Sequence, residues 1–170
     1  MLISLFINIF IKIMKKGFTL IELLVVISII SLLSSVVLSS VSNARAKGVD
    51  GAIKSQMLSA RTQAELYYAY NGNDYRNVCT PDPQPNGAKP IGKLLLVAGK
   101  YYLSTMTVVI GSAGAFNQTT CHESPTAWAA ETPLKGSVSG VGGSLMWCID
   151  STGASKQENS NLPQGIYSCQ

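Results

Sequence analysis

Four cysteines, Cys79, Cys121, Cys148 and Cys169, are the residues of this chain whose type and number most directly imply chemistry. Tens of residues separate them and none forms a C-x-x-C pair, so a zinc knuckle, which needs close ligand pairs, is not expected and no metal site is assigned. An even cysteine count reads as disulfides formed in an oxidising compartment. Three pairings are possible. Nearest-neighbour pairing, Cys79 with Cys121 and Cys148 with Cys169, closes the smaller loops, and each bridge adds about 3 kcal/mol by restricting the unfolded chain. His122, the single histidine, follows Cys121, but neighbours on a strand point to opposite faces, so a surface histidine is expected rather than a Cys/His dyad. Gly140-Val141-Gly142-Gly143 lacks the strand-to-helix context of a phosphate loop and reads as a turn. Asp150, Ser151 and Gly153 lack the regular acidic alternation of a calcium loop and also read as a turn. Asn117-Gln118-Thr119 is a glycosylation sequon by pattern only. The chain thus offers no catalytic set and calls for no cofactor, and a non-enzymatic role is expected.

Glu22 poses a different problem. It is the sole charged side chain between Phe18 and Ala44, and the run from Leu23 to Leu33 is almost wholly apolar. About 20 such residues in a helix span the roughly 30 Å hydrocarbon core of a bilayer. Lys15 and Lys16 precede the run while Arg45 and Lys47 follow it, so the charge bias sets orientation only weakly. A carboxylate one turn into such a helix is costly in lipid unless neutralised or paired, which makes Glu22 a functional residue by default. The plainer alternative places it at the interface, solvated and favoured by the helix dipole.

The elements that position these residues follow from composition and periodicity. Of the 170 residues, 46% are hydrophobic and 13% charged, against about 25% charged in an ordinary soluble domain. The net charge of +4 owes three lysines to the first 16 positions, and beyond Thr80 five lysines balance five acids, so nucleic acid stays open as a partner only through a local patch. All seven prolines fall at or after Pro81. An uninterrupted segment therefore precedes a loop-rich one. Val49, Ile53, Met57, Ala60, Ala64 and Tyr67 recur at helical spacing and define an amphipathic continuation of the apolar run. Asp50 with Lys54 and Arg61 with Glu65 are expected to pair at i,i+4 on its other faces. Gly48 and Gly51 weaken it locally, and Asn71-Gly72-Asn73 supplies its stop. Unbroken from Phe18 to Tyr70, the helix would reach about 80 Å, longer than a small domain is wide. Beyond Pro81, Leu94 to Leu103 reads as a short helix or buried strand. Ala127 to Glu131 and Ser144 to Ile149 read as strands joined through Gly140, Gly142 and Gly143. Tyr67, Tyr68, Trp128 and Trp147 are expected in the core between helix and sheet. The fold class is α+β, a long N-terminal helix on a small antiparallel sheet.

Lys15-Lys16-Gly17-Phe18-Thr19-Leu20-Ile21-Glu22-Leu23 before the apolar run resembles the prepilin signature of type IV pilins and type II secretion pseudopilins. The resemblance covers residues 14 to 45 closely and the rest by architecture, so the fold would be pilin-like. It implies that a prepilin peptidase cuts between Gly17 and Phe18 and that the new Phe18 amine is methylated. It also implies that Glu22 offsets the amine of a neighbouring subunit and sets the axial register. The corresponding parts are a leader (1–17), a transmembrane and filament-core helix (18–44), its amphipathic continuation (45–72) and a disulfide-containing β-rich head (73–170). Met14-Lys15-Lys16-Gly17 alone makes an ordinary leader, so translation is read as starting at Met14, the alternative being a long leader that includes the apolar stretch Met1 to Ile13 and is still removed. Where many pilins carry Gly or Pro in the membrane helix, this chain has serines at 28, 31, 34, 35, 39 and 40, which can bond back to the preceding turn. The implied partners are further copies of the chain, minor pilins, the peptidase, an inner-membrane assembly platform with its ATPase, and membrane lipid before assembly. The implied location is the inner membrane with the head outside, then a periplasmic or surface filament. A pilin is favoured, a major pseudopilin is the alternative within the class, and a membrane-anchored binding module the alternative outside it.

Overall fold

A computed structural model describes residue 17, residues 19–136 and residues 145–170. The Gly140 to Gly143 turn, Phe18 and the leader ahead of Gly17 lie outside the described residues. The chain divides into two compact units, the first ending at Ser42 and the second running from Asn43 to Gln170.

Helix α1, Leu20–Tyr70, carries the apolar run and its amphipathic continuation without interruption. Gly48 and Gly51 do not break it. It stops at Asn71-Gly72-Asn73, where Gly72 and Asn73 take positive φ and the Asn73 amide donates to the Tyr68 carbonyl five residues back. That bond satisfies a carbonyl that the helix end would otherwise orphan.

In the second unit, Ile53, Met57, Ala60, Ala64 and Tyr67 are fully buried and Val49 half-buried, so the helical spacing read from the sequence is the packed face. They share one hydrophobic cluster with Cys121, Trp128, Ala130 and Ile149 of the sheet. The Leu94 to Leu103 segment is helical: α2, Gly92–Tyr102, adds Leu95 and Ala98 to that cluster, with Ile91 just ahead of it. Tyr68 and Trp147 pack on the cluster only half-buried.

The sheet has five strands in the order β1 (Val108–Ile110), β2 (Thr119–Glu123), β3 (Trp128–Pro133), β4 (Met146–Asp150) and β5 (Ser155–Glu158). Its last three pairings are antiparallel, while β1 runs parallel to β2, Ile110 opposite Cys121. Between them the chain turns at Gly111, with φ of 71°, and passes Ser112 to Gly114 over His122 and Leu162 before entering β2. That return sends β2 in the same direction as β1. The register places Cys121, Ala130 and Ile149 in one row on the helix side, and Thr120, His122, Glu131, Cys148 and Asp150 on the other.

The cysteines are bonded as Cys79 to Cys121 and Cys148 to Cys169. One ties the loop after α1 to β2, the other ties residues near position 169 to β4. Three expectations are corrected here. Asp50 and Lys54 do not pair: Asp50 accepts the Lys135 and Gly136 amides, while the Lys54 ammonium sits 4.5 Å from the centre of the Trp147 ring. Arg61 and Glu65 do not pair either, Arg61 donating to the Gly153 carbonyl and Glu65 accepting the Tyr75 hydroxyl at 2.9 Å. An exposed i,i+4 pair contributes only about 0.2–0.5 kcal/mol, too little to hold these side chains away from partners in the head. His122 is not a surface residue but 1% exposed, because chain without any hydropathy period covers that side of the sheet.

Gly92 opens α2 against the carbonyls of Cys79 and Thr80, and a Cβ there would overlap both oxygens. Gly92→Ala is expected to cost about 1–3 kcal/mol through displaced backbone, seen as a lowered melting temperature of the oxidised protein.

Candidate functional site

The start of α1 presents its chemistry on an uncovered surface. From Leu20 to Arg45 every side chain with an assigned environment is exposed, Leu20 at 88% and Leu38 at 77%. Soluble monomers rarely leave apolar surface of this extent uncovered. Among the described residues α1 is the one helix long and apolar enough to cross a membrane.

Its first turn is closed by a reciprocal pair. The Thr19 amide and hydroxyl both donate to Glu22 Oε2, at 2.9 and 2.7 Å, and the Glu22 amide donates to Thr19 Oγ1 at 3.3 Å. This is a capping box, with Thr19 as N-cap and Glu22 three residues on, satisfying two amides that the helix start leaves without partners. The Glu22 carboxylate therefore has an intramolecular task at the boundary of the apolar run. The S/T-x-x-E spacing before an apolar stretch is a sequence signal for this arrangement, and reading Glu22 by charge alone misses it. Gly17 is open, with nothing within 4 Å of where a Cβ would stand.

The serines of the apolar run do not interrupt the helix. Ser31 donates to the Ile27 carbonyl at 2.7 Å and Ser35 to the Leu32 carbonyl at 2.8 Å, which keeps these hydroxyls paired without water.

The other sequence candidates are structural. Asp150 Oδ1 accepts the Thr152 amide, the Thr152 hydroxyl and the Ala154 amide, and Oδ2 accepts the Cys169 amide. Burial pushes this carboxyl up, but these donors together outweigh it and hold it below the usual carboxylate range. A calcium ion would have to displace those donors, so the segment is a turn. Cys148 and Cys169 approach Glu158, but as a disulfide they offer no thiolate to a metal. Glu123, to which the sequence alone assigns no role, accepts the Asn77 and Cys79 amides at 2.8 and 2.6 Å and so fixes the turn beside the first disulfide.

The apolar helix, its capped start and the disulfide-bonded sheet agree with the proteins this chain is similar to. The family described as the prokaryotic N-terminal methylation motif matches residues 13–38. The type IV wide pilus major component PilA4 of Thermus thermophilus is 33% identical over 121 residues, which cover 71% of this chain and 84% of that protein. No solved structure is matched.

Thr19→Ala removes the N-cap while leaving the Glu22 carboxylate. It is expected to weaken the first turn by about 0.5–2 kcal/mol, visible as faster amide exchange confined to the first helical turn of the micelle-bound protein. By its prepilin motif, its architecture and its extended match to a pilus component, this chain belongs to the type IV pilin family.

Proposed function

We propose that the protein is the structural subunit of a type IV pilus-like filament, stored in the inner membrane and extracted into a helical polymer of its own copies. The observation that carries this reading is the uncovered apolar half of α1 with a single carboxylate at its start. In lipid such a surface is satisfied, and in a filament it is satisfied by neighbouring copies. Lipid tails are as apolar as leucine, so packing and register rather than hydrophobic gain must drive the exchange. Glu22 supplies the register in this reading. Cleavage between Gly17 and Phe18 creates an amine, methylated on Phe18, that pairs with the Glu22 carboxylate of an adjacent subunit.

The parts divide as leader (1–17), membrane and filament-core helix (18–44), amphipathic continuation (45–72) and outward-facing head (73–170). Prepilin peptidase, an assembly platform with its ATPase, and minor pilins are the partners. The role is structural and uses no cofactor or metal. The Thermus relative's being a pilus component and the full occupancy of the Asp150 oxygens by protein donors favour a pilin over a secretion pseudopilin.

Intact mass and N-terminal peptide analysis of the protein from its native membrane are expected to give a chain beginning with methylated Phe18. An intact leader would favour an anchored monomeric module instead. Glu22→Leu is expected to leave that cleavage unchanged and to abolish filaments by electron microscopy, and filaments of normal number and length would remove Glu22 from the register role.

A further inference from the structure

The side of the sheet opposite the helices is unusually polar for a buried surface. Thr120, His122, Glu131, Asp150 and Glu158 all lie there, each no more than 5% exposed. What covers them is a strap, residues 159–170, together with Ser112 to Gly114. The strap is held at several points: the Leu162 amide donates to Glu131 Oε1 at 2.9 Å, the Leu162 carbonyl accepts the Gly114 amide, and the Cys169 amide donates to Asp150. His122 has its ring nitrogens 2.9 and 2.8 Å from the Ile166 and Ser112 carbonyl oxygens. The Cys148 to Cys169 bond anchors the far end covalently.

Glu131 stands out within this set. It has no exposure, its Oε1 leaves no room for a Cβ on Gly114, and its Oε2 has no hydrogen-bond partner. Thr120 Oγ1, Glu158 Oε1 and Asn161 Oδ1 are also buried without one. Thr120 is the cross-strand neighbour of Glu131, and Asn161 immediately precedes the residue that bonds it. Apart from the Thr120 hydroxyl proton these atoms only accept. An ionised Glu131 would be a buried charge with one amide to hold it.

We propose that Glu131 is a protonated latch for the strap, closed when its carboxyl carries a proton and released when that proton is lost. The proton removes the buried charge and turns Oε2 from an acceptor into a donor, while Oε1 keeps the Leu162 amide. The charged and titratable groups on the same side are Glu158 on β5, with the Lys156 ammonium 3.6 Å from its Oε1, Asp150 on β4, His122 on β2 and Tyr167 of the strap. The segment over Gly114 adds none, and α1 and α2 cover the opposite side. Burial, and then the nearby Glu158 charge, push the Glu131 carboxyl up to about 7 against the Leu162 amide's opposing pull. Glu158 is itself raised by burial. Folding thus favours the protonated acid, so the latch is strongest below its unperturbed value of 4.5, weakens as pH climbs toward about 7, and weakens no further above that. Because Cys169 stays bonded to Cys148, release opens a tethered loop rather than freeing the chain.

The test is amide hydrogen exchange of the strap in the full-length oxidised protein in detergent micelles, corrected for intrinsic rates, between about pH 5 and about pH 8. Opening at Leu162 is expected to rise by at least about tenfold in the native protein and to stay flat in Glu131→Gln, which keeps the acceptor and carries a permanent donor. A component of the carboxylic C=O infrared band that is present at the acid end, fades as pH climbs toward about 7 and is lost in the difference between the native protein and Glu131→Gln, the remaining carboxyls being common to both, is the second expected reading on the same protein. Equal pH dependence in the two proteins, protection at Leu162 that ignores pH, or the same carboxylic band in both proteins at acid pH would each overturn the latch.

Discussion

One helix made to satisfy two surroundings is the constraint on which the rest of this protein depends. The same α1 backbone carries a stretch whose side chains are left uncovered and a stretch whose inner face is wholly buried under a sheet. No break in the helix separates them. The difference is written in periodicity alone: leucine, isoleucine, valine and serine on all sides before Ala44, a single apolar stripe from Val49 onward. A helix apolar all round has no reason to choose one neighbour within its own molecule.

The head holds its part of the helix by apolar burial, and the helix's charged side chains then reach outward into the head. Asp50, Lys54, Arg61 and Glu65 each find a partner beyond α1, on backbone amides, an indole ring, a carbonyl and a phenol. The phenol of Tyr75 is raised in pKa by burial and by that Glu65 contact, which keeps it a donor at every physiological pH. Polar contacts of this kind add directional partners to a helix whose rotation about its axis the apolar stripe already sets.

How much of this is legible in the sequence depends on whether the information is local. The buried stripe from Ile53 to Tyr67 and the stop at Asn71-Gly72-Asn73 are periodic or conformational signals, and the structure uses both as read. The isolation of Glu22 is equally plain, but its partner Thr19 is easily missed because a charge in an apolar run draws attention to lipid rather than to the amides of its own helix. The charge pairs fail for a different reason, since i,i+4 spacing says which residues can meet and not whether something better lies across the core. His122 and Glu131 are the least legible. Their burial comes from a strap with no strand or helix period, so nothing local marks the residues that cover them.

The disulfides have a bearing on damage as well as on folding. Much of the strap, including Asn159, Ser160, Pro163, Gln164 and Gly165, lies exposed, as loops favoured by proteases do. Yet Cys169 is bonded back to Cys148 in the sheet, and the Cys79 to Cys121 bond likewise brackets the largely exposed segment from Pro81 to Gly87. A protease that nicks either exposed tract between its anchor points severs a peptide bond and sheds no fragment. A pilin head so bonded keeps its mass and its outline through cuts that would erode one held together by backbone continuity alone.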